Sequence, residues 1–503
     1  MRPRSLLATA CVAALAAAGC GTGGGDQAAP AEATLRYAAV GAPAATTHDP
    51  HGRVGNEADY LRFAMLYDVL TVTDENGEVR PRLAESWEPR DGDLTRWRVV
   101  LRDDAVFSTG DPVTADDVLF SLRRIQGKGA ENNGRLSMFD LEESRAVGDH
   151  ELELVTVQPY AEVGQALASL TFVVPEGSDE ITEPVAGSGP FVLDSGDDTT
   201  SVLLRNGDWW GQAPDVERLE ITALPDPAAR ADAVASGQAD VAGSVAPAAA
   251  RRHEEGGEVQ VVTRAGGVNY PLVMDLETEP FDDPAVREAV KLALDREELV
   301  ETVFLGYGEP GADVLNPMEP FAPDAEPVER DVDRARELLA DAGHADGVSV
   351  TLHTTNSYPG MEEAAVLAAE QLGEAGIDAE VEVGPPDTYW SQVWNAEPFY
   401  LNSLGGNGFV DFARMALVAE GPINETGWDD PEWEEDFAAA LATEDEAERH
   451  AMLGDLQTRV AEEGGYVVWG VGDGIDLAAP QVGNLPTGPG FHRLQIDQVE
   501  LAD

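Results

Sequence analysis

Histidines, cysteines and carboxylates are the side chains here with most chemistry to offer, and their spacing supports little of it. His48 and His51 bracket Asp49 in an H-x-x-H pattern that could hold a metal, but the surrounding residues read as a loop, where such a pair is usually a surface or cleft pair. There is no G-x-S-x-G elbow, no H-E-x-x-H and no complete EF-hand loop. The two lysines, Lys128 and Lys291, both lie outside a G-K-[ST] context, which excludes phosphate-loop nucleotide hydrolysis. Gly21-Thr22-Gly23-Gly24-Gly25 resembles a glycine loop but precedes no helix pattern, and Asp74-Glu75-Asn76-Gly77 reads as a hairpin turn between apolar runs. Paired carboxylates are too common among 94 acidic residues to mark a catalytic dyad. The inventory leads us to expect no catalytic residue, no metal and no cofactor. Binding is the stronger class, with a secreted hydrolase or an adhesin as the alternative.

Charge narrows the partners. The 503 residues carry 94 acidic against 32 basic side chains, a net charge of −62, so a nucleic acid would be repelled and an anionic membrane surface gives no attraction. With 43% hydrophobic residues, nine Trp and fourteen Phe, the chain is too apolar to remain a solvated coil. Thirty of the basic residues are arginines. An excess of carboxylates of this size suits a surface that stays hydrated in high salt, where screening quenches self-repulsion.

The N-terminus accounts for the cysteines. Arg2 and Arg4 precede an apolar run from Leu6 to Ala18 that is too short to span a bilayer, ending in Ala17-Ala18-Gly19-Cys20. This is similar to a bacterial lipoprotein signal over residues 1–19, with Cys20 the lipidated residue, although Ala17 stands where such signals usually carry Leu. Cys11 falls in the part removed, so the mature chain keeps one cysteine and no intramolecular disulfide. Loss of Arg2 and Arg4 leaves thirty basic residues against 94 acidic ones, a charge of −64. Residues 20–33, rich in Gly, Ala and Pro, read as a flexible tether that holds the body outside the cell membrane through its lipid anchor.

Beyond the tether, short apolar strands alternate with amphipathic helices, which gives a mixed α/β or α+β body. Strands are predicted at, among others, Leu35 to Val40, Trp97 to Arg102, Glu151 to Val157, Leu219 to Leu224, Val348 to His353 and Ala379 to Val383. Thr114 with Asp117 reads as a capping box, Asp283 with Pro284 as a helix start, and Asp295 with Glu298 as the cap of a helix running to Gly306.

Several segments in order carry a resemblance. Leu66-Tyr67-Asp68-Val69-Leu70, Arg80-Pro81-Arg82-Leu83-Ala84-Glu85-Ser86-Trp87, Gly110-Asp111-Pro112-Val113-Thr114-Ala115-Asp116-Asp117-Val118, Gly187-Ser188-Gly189-Pro190-Phe191, Asn206-Gly207-Asp208-Trp209-Trp210 and Pro280-Phe281-Asp282-Asp283-Pro284 together make the chain similar to family 5 extracellular solute-binding proteins, the oligopeptide, dipeptide and nickel receptors of ABC importers. It departs from the pattern at Arg96 and Val99, and the tail after Gly405 is harder to align. Trp87, Trp97, Phe107 and Phe120 are read as core.

The resemblance implies a periplasmic-binding-protein type II-like fold, with two lobes, a hinge and an extra domain inserted in the first lobe. Residues 34–66, 185–265 and 475–503 would form lobe I, 67–184 the inserted domain and 266–474 lobe II. It also implies a monomer that closes on a peptide or other small solute, such as a metal chelate or glycoside, and delivers it to ABC permease subunits. Loops that such a fold would turn into the cleft supply candidate contacts: Thr355, Asn356 and Tyr358 after a strand end, and Gly406, Asn407, Phe409 and Asp411 in a glycine-rich stretch. In peptide-binding relatives an Asp in a comparable region holds the ligand's α-ammonium, which makes Asp411 the candidate for that role. His51, Tyr60, Tyr270, Trp390 and Trp394 complete the set.

Overall fold

The structure, a computed structural model, describes residues 33–502 apart from 55, 130–135, 169, 405–407, 420 and 489; the signal, Cys20 and most of the tether therefore lie outside the described residues. Three sheets organise what is described. The largest has eight strands, in the order Gln260–Asn269, Gly470–Ala478, Val241–Ala242, Thr34–Ala39, Arg218–Ala223, Thr200–Arg205 and Phe191–Gly196, with Gly308–Pro310 added beside Gly470–Ala478. Thr34–Ala39 runs parallel to Arg218–Ala223, pairing Tyr37 with Ile221, and this central position explains why Leu35, Ala38 and Ala39 are all buried.

The second sheet has the order Ile377–Gly384, Val348–Thr355, Phe399–Leu401, Leu272–Met274 and Tyr466–Val467. Its first two strands are parallel, and the helix Met361–Ala375 between them makes a β-α-β unit whose buried stripe of Ala364, Ala365, Ala368 and Leu372 covers one sheet face. The third sheet, Ala84–Arg90, Asp93–Leu101, Glu151–Val155 and Arg145–Gly148, is antiparallel and packs against the helix Ala115–Gly127. Its core includes Trp97 and Phe107, both buried as expected, with Trp87 packed partly buried against them. Phe120 packs, partly buried, against the core of the large sheet.

Two adjacent strands carry the chain between the first and second sheets. Gln260–Asn269 continues through Tyr270 and Pro271 into Leu272–Met274, and Tyr466–Val467 continues through Val468 and Trp469 into Gly470–Ala478. The sheet changes at 269–272 and 467–470, so the sequence-based limit at 474/475 falls inside the paired part of these strands and that at 265/266 inside their irregular stretch. Their pairing is irregular between Arg264 and Val268, where Gly266 takes φ +70° and Gly267 approaches Gly474 so closely that a Cβ on it would stand 2.3 Å from the Gly474 nitrogen.

Local signals read from sequence match the geometry. Thr114 and Asp117 form a reciprocal capping box, and the Asp283 carboxylate accepts the Ala285 N–H at 2.8 Å with Pro284 in the first turn. Asp295 caps Arg296–Val303, which ends one turn before Gly306. The resemblance segments converge on one knot: Asp68 accepts Trp209 Nε1 at 3.1 Å, Trp210 Nε1 at 2.7 Å and Arg82 Nε at 2.6 Å, while Arg102 lies 3.6 Å above the Trp210 ring. These motifs are structural. Lys291 is also structural, since its buried ammonium donates to the carbonyl of Ala461 at the end of the helix Glu446–Glu463.

Candidate functional site

The crossing strands open onto a cleft that encloses about 1640 Å³ including its open mouth. On one side lie Thr73 and Gly77 of the hairpin predicted at Asn76-Gly77, Gln165 and Ala168 of the helix Val163–Ala168, and Phe491; on the other lie Leu315 to Glu319, Trp394, Asn402 to Leu404 and the helix Phe409–Ala416. Gly266, Asn269 and Val471 of the crossing strands form its floor. Met318 reaches across to Gly266, whose missing Cβ leaves room for it.

The charged groups of the described lining are all carboxylates, Glu319, Asp411 and Glu425, set among the amides of Gln165, Asn269, Asn316 and Asn402. Asp411 sits in the first turn of Phe409–Ala416, where the helix dipole favours a negative charge. Glu319 accepts the Phe409 N–H at 3.0 Å, and burial together with the nearby charges of Glu162 and Asp411 pushes its carboxyl up to about 7. Glu425 lies deeper. Tyr400 Oη and Tyr466 Oη donate to it, the latter at 3.0 Å, and Asn402 Nδ2 reaches its two oxygens at 2.7 and 2.9 Å. Burial raises the Glu425 pKa despite these donors, which favour the ionised form. The Trp394 N–H faces the same carboxylate without reaching it in a hydrogen bond of normal geometry. Arg, Lys and His are missing from the described lining.

The structure brings some of the predicted residues together and separates others. Asp411 and Trp394 share the cleft. Phe409 lies behind it, fully buried and edge-on to Phe321 at 6.2 Å. Tyr60 is half-buried with its ring 6.3 Å from Phe491, one layer behind the wall. Gly406 and Asn407 fall outside the described residues.

The remaining expectations meet different surroundings. His51 was expected in the cleft, yet it is 1% exposed, with Nε2 2.7 Å from the Phe172 carbonyl, and burial lowers its pKa to about 4. Tyr270 is a core residue that donates to the Pro359 carbonyl at 3.0 Å. Thr355 is fully buried because its strand runs to that residue and its hydroxyl bonds Ser357, which leaves Asn356 and Tyr358 exposed. Trp390 stacks edge-on to Tyr358 at 6.0 Å, and this pair stands apart from the cleft lining. Among the described residues no group of three potential metal ligands occurs and no helix is long and apolar enough to cross a membrane.

Sequence reasoning missed Glu319, Glu425, Asn402 and Asn269. Asn424-Glu425-Thr426-Gly427 reads as a turn, and nothing local indicates that two tyrosines and an asparagine converge on its glutamate. Glu319 sits among Pro317, Pro320 and Pro323 in a stretch without periodicity.

Comparison with known proteins adds the wider setting. Residues 78–419 match the model of the bacterial extracellular solute-binding proteins, family 5, middle region. The nickel-binding periplasmic protein of Escherichia coli K12 is 24% identical over 483 residues, covering 87% of this chain and 89% of that protein. The glutathione-binding protein GsiB of Salmonella typhi is 25% identical over 448 residues, with 84% and 86% covered. Among solved structures, NikA from Brucella suis in complex with Fe(III)-EDTA superposes with a TM-score of 0.81 at 21% identity, over 93% of this chain and 99% of that one. DppA from Helicobacter pylori in complex with the peptide STSA gives 0.74 at 20%, over 93% and 98%. At these identities the likeness carries the fold, which is the two-lobed, type II binding-protein arrangement expected from the sequence.

Proposed function

The chain belongs to the bacterial extracellular solute-binding proteins of family 5, and on that premise we propose that it captures an extracellular solute, in the first place a peptide, for an ABC importer. Residues 34–66, 185–265 and 475–503 act as lobe I, 67–184 as an inserted domain and 266–474 as lobe II. The lobes close about the two crossing strands, and the solute stabilises the closed form because it touches both walls only there. Cys20 carries the lipid anchor, so a monomer works at the outer face of the cell membrane and hands its cargo to the permease subunits. The protein binds without turning its solute over.

The observation that carries this reading is the cleft itself, floored by both crossing strands and edged by Asp411 on a helix N-terminal turn. Asp411 binds the α-ammonium of the peptide. A second reading keeps the fold and exchanges the peptide for a metal chelate, in line with the Fe(III)-EDTA complex of the Brucella suis relative. Small-angle scattering of the mature protein with and without a peptide mixture tests the capture step: a smaller radius of gyration on binding supports it, and an unchanged profile at saturation rejects it.

A further inference from the structure

A second, smaller cavity adjoins the cleft. It encloses about 470 Å³ including its open mouth, and Thr73, Ala168 and Phe491 line both spaces. Met65, Val72, Leu170, Phe172 and Leu494 make most of its wall apolar. The cation of its described lining, Arg82, is already engaged: Nε donates to Asp68 Oδ1 at 2.6 Å, and Nη1 lies 3.5 Å from Asp497 Oδ2. The other Asp68 oxygen accepts the indole N–H groups of Trp209 and Trp210, and Asp497 Oδ2 also accepts the Gln498 amide at 3.3 Å. Asp497 Oδ1 differs from these three oxygens. The residue is 3% exposed, and this oxygen is buried without a hydrogen-bond partner. A buried acceptor in that state is uncommon in a native fold, and a donor from a ligand restores the missing bond.

Resting on the peptide reading above, we infer that this cavity is a subsite for one basic side chain of the cargo peptide, of the lysine type, whose ammonium donates to Asp497 Oδ1. Asp68, Arg82 and Asp497 together carry one formal negative charge, which a single ammonium balances and an uncharged side chain leaves uncompensated. An ammonium has three donors and no acceptor. That suits a lining in which Thr73 and Gln495 add a hydroxyl and an amide oxygen beside the carboxylate, the Gln495 Nε2 being committed to the Thr73 carbonyl at 2.9 Å. The methylene stem of the side chain packs along the apolar wall, as lysine stems do when the charged end finds a polar partner. Only this side chain is assigned to the cavity. The peptide's main chain and both of its termini stay in the larger cleft, with the α-ammonium at Asp411.

Calorimetry on the mature protein at about 0.3 M salt, which screens general attraction to its acidic surface, tests the inference. The probes are trialanine, the three tripeptides in which one alanine is replaced by lysine, and the norleucine counterparts of those three, which keep the stem and lack the ammonium. At least one lysine tripeptide is expected to bind about 20-fold more tightly than both its norleucine counterpart and trialanine. Asp497→Asn is expected to bring the lysine and norleucine forms to within about threefold of each other. Ala64→Leu, which narrows the cavity from the helix Glu57–Leu66 without altering a charge, is expected to remove the same preference, and it decides the matter where Asp497→Asn folds poorly. Equal affinities of the lysine and norleucine forms for the unmodified chain overturn the inference, while the binding of trialanine leaves the peptide reading standing. A lysine preference that survives in both folded variants overturns the assignment to this cavity. If no peptide of the set binds, the peptide reading fails and the inference fails with it.

Discussion

The carboxylate of Glu319 accepts the backbone N–H of Phe409 at 3.0 Å, so the helix that presents Asp411 is capped by a side chain 90 positions away. Gly408, at the cap position, offers no side chain of its own. Glu319 thus links the proline-rich strap over the cleft to the helix bearing the proposed ammonium ligand.

That link has a pH signature. Burial raises the Glu319 carboxyl from its ordinary 4.5 to about 7, so between these values the folded chain holds a proton that the unfolded chain has lost. Its contribution is fully present below pH 4.5 and is lost as pH rises through about 7. The span corresponds to at most about 3 kcal/mol, reduced because the side chain is only partly shielded. Urea unfolding of the wild type and of Glu319→Gln at pH 5 and pH 7.5 checks this: the wild type loses more stability over the interval than the variant.

The buried carboxylate of Glu425 depends on its donors. Tyr466→Phe removes the 3.0 Å bond to Oε1 and leaves that oxygen with fewer partners in a site already costly to charge. A loss of roughly 1–2 kcal/mol in unfolding free energy is expected. Equal midpoints and slopes for the two proteins would refute it.

Asp411 is predicted to hold a ligand ammonium. Asp411→Ala is expected to weaken an amine-bearing ligand by about 2 kcal/mol, or roughly 30-fold, with little change in melting temperature. Calorimetric titration reads the first quantity and scanning calorimetry the second.

The acidic surface leads to a prediction about salt. A charge of −62 on the whole chain imposes self-repulsion that ions screen, so the melting temperature should rise between 0.05 and 2 M salt. A flat or falling dependence in scanning calorimetry would dismiss the salt-adapted reading of the composition.

These outcomes bear unequally on what could be read from the residues. Capping of the helices at Thr114 and Asp283 was legible because cap and helix are neighbours in sequence, and the hairpin at Asn76-Gly77 for the same reason. The family segments were legible in order, although only the structure shows that Asp68, Arg82, Trp209 and Trp210 form one knot. Polar loops proved a poor guide to the cleft. Thr355 belongs to a buried strand end, and His51 is held in the core by the Phe172 carbonyl, a partner 121 residues away. Glu425 was invisible because its environment is assembled from Tyr400, Asn402 and Tyr466 on different strands and turns, and burial is what sets its character.

Native mass spectrometry of the mature protein purified from its own source tests solute capture most directly. The account predicts a bound small mass, or a ladder of peptide masses, that is released on unfolding and missing from Asp411→Ala. A wild-type protein that carries no adduct, and acquires none from its growth medium, would contradict it.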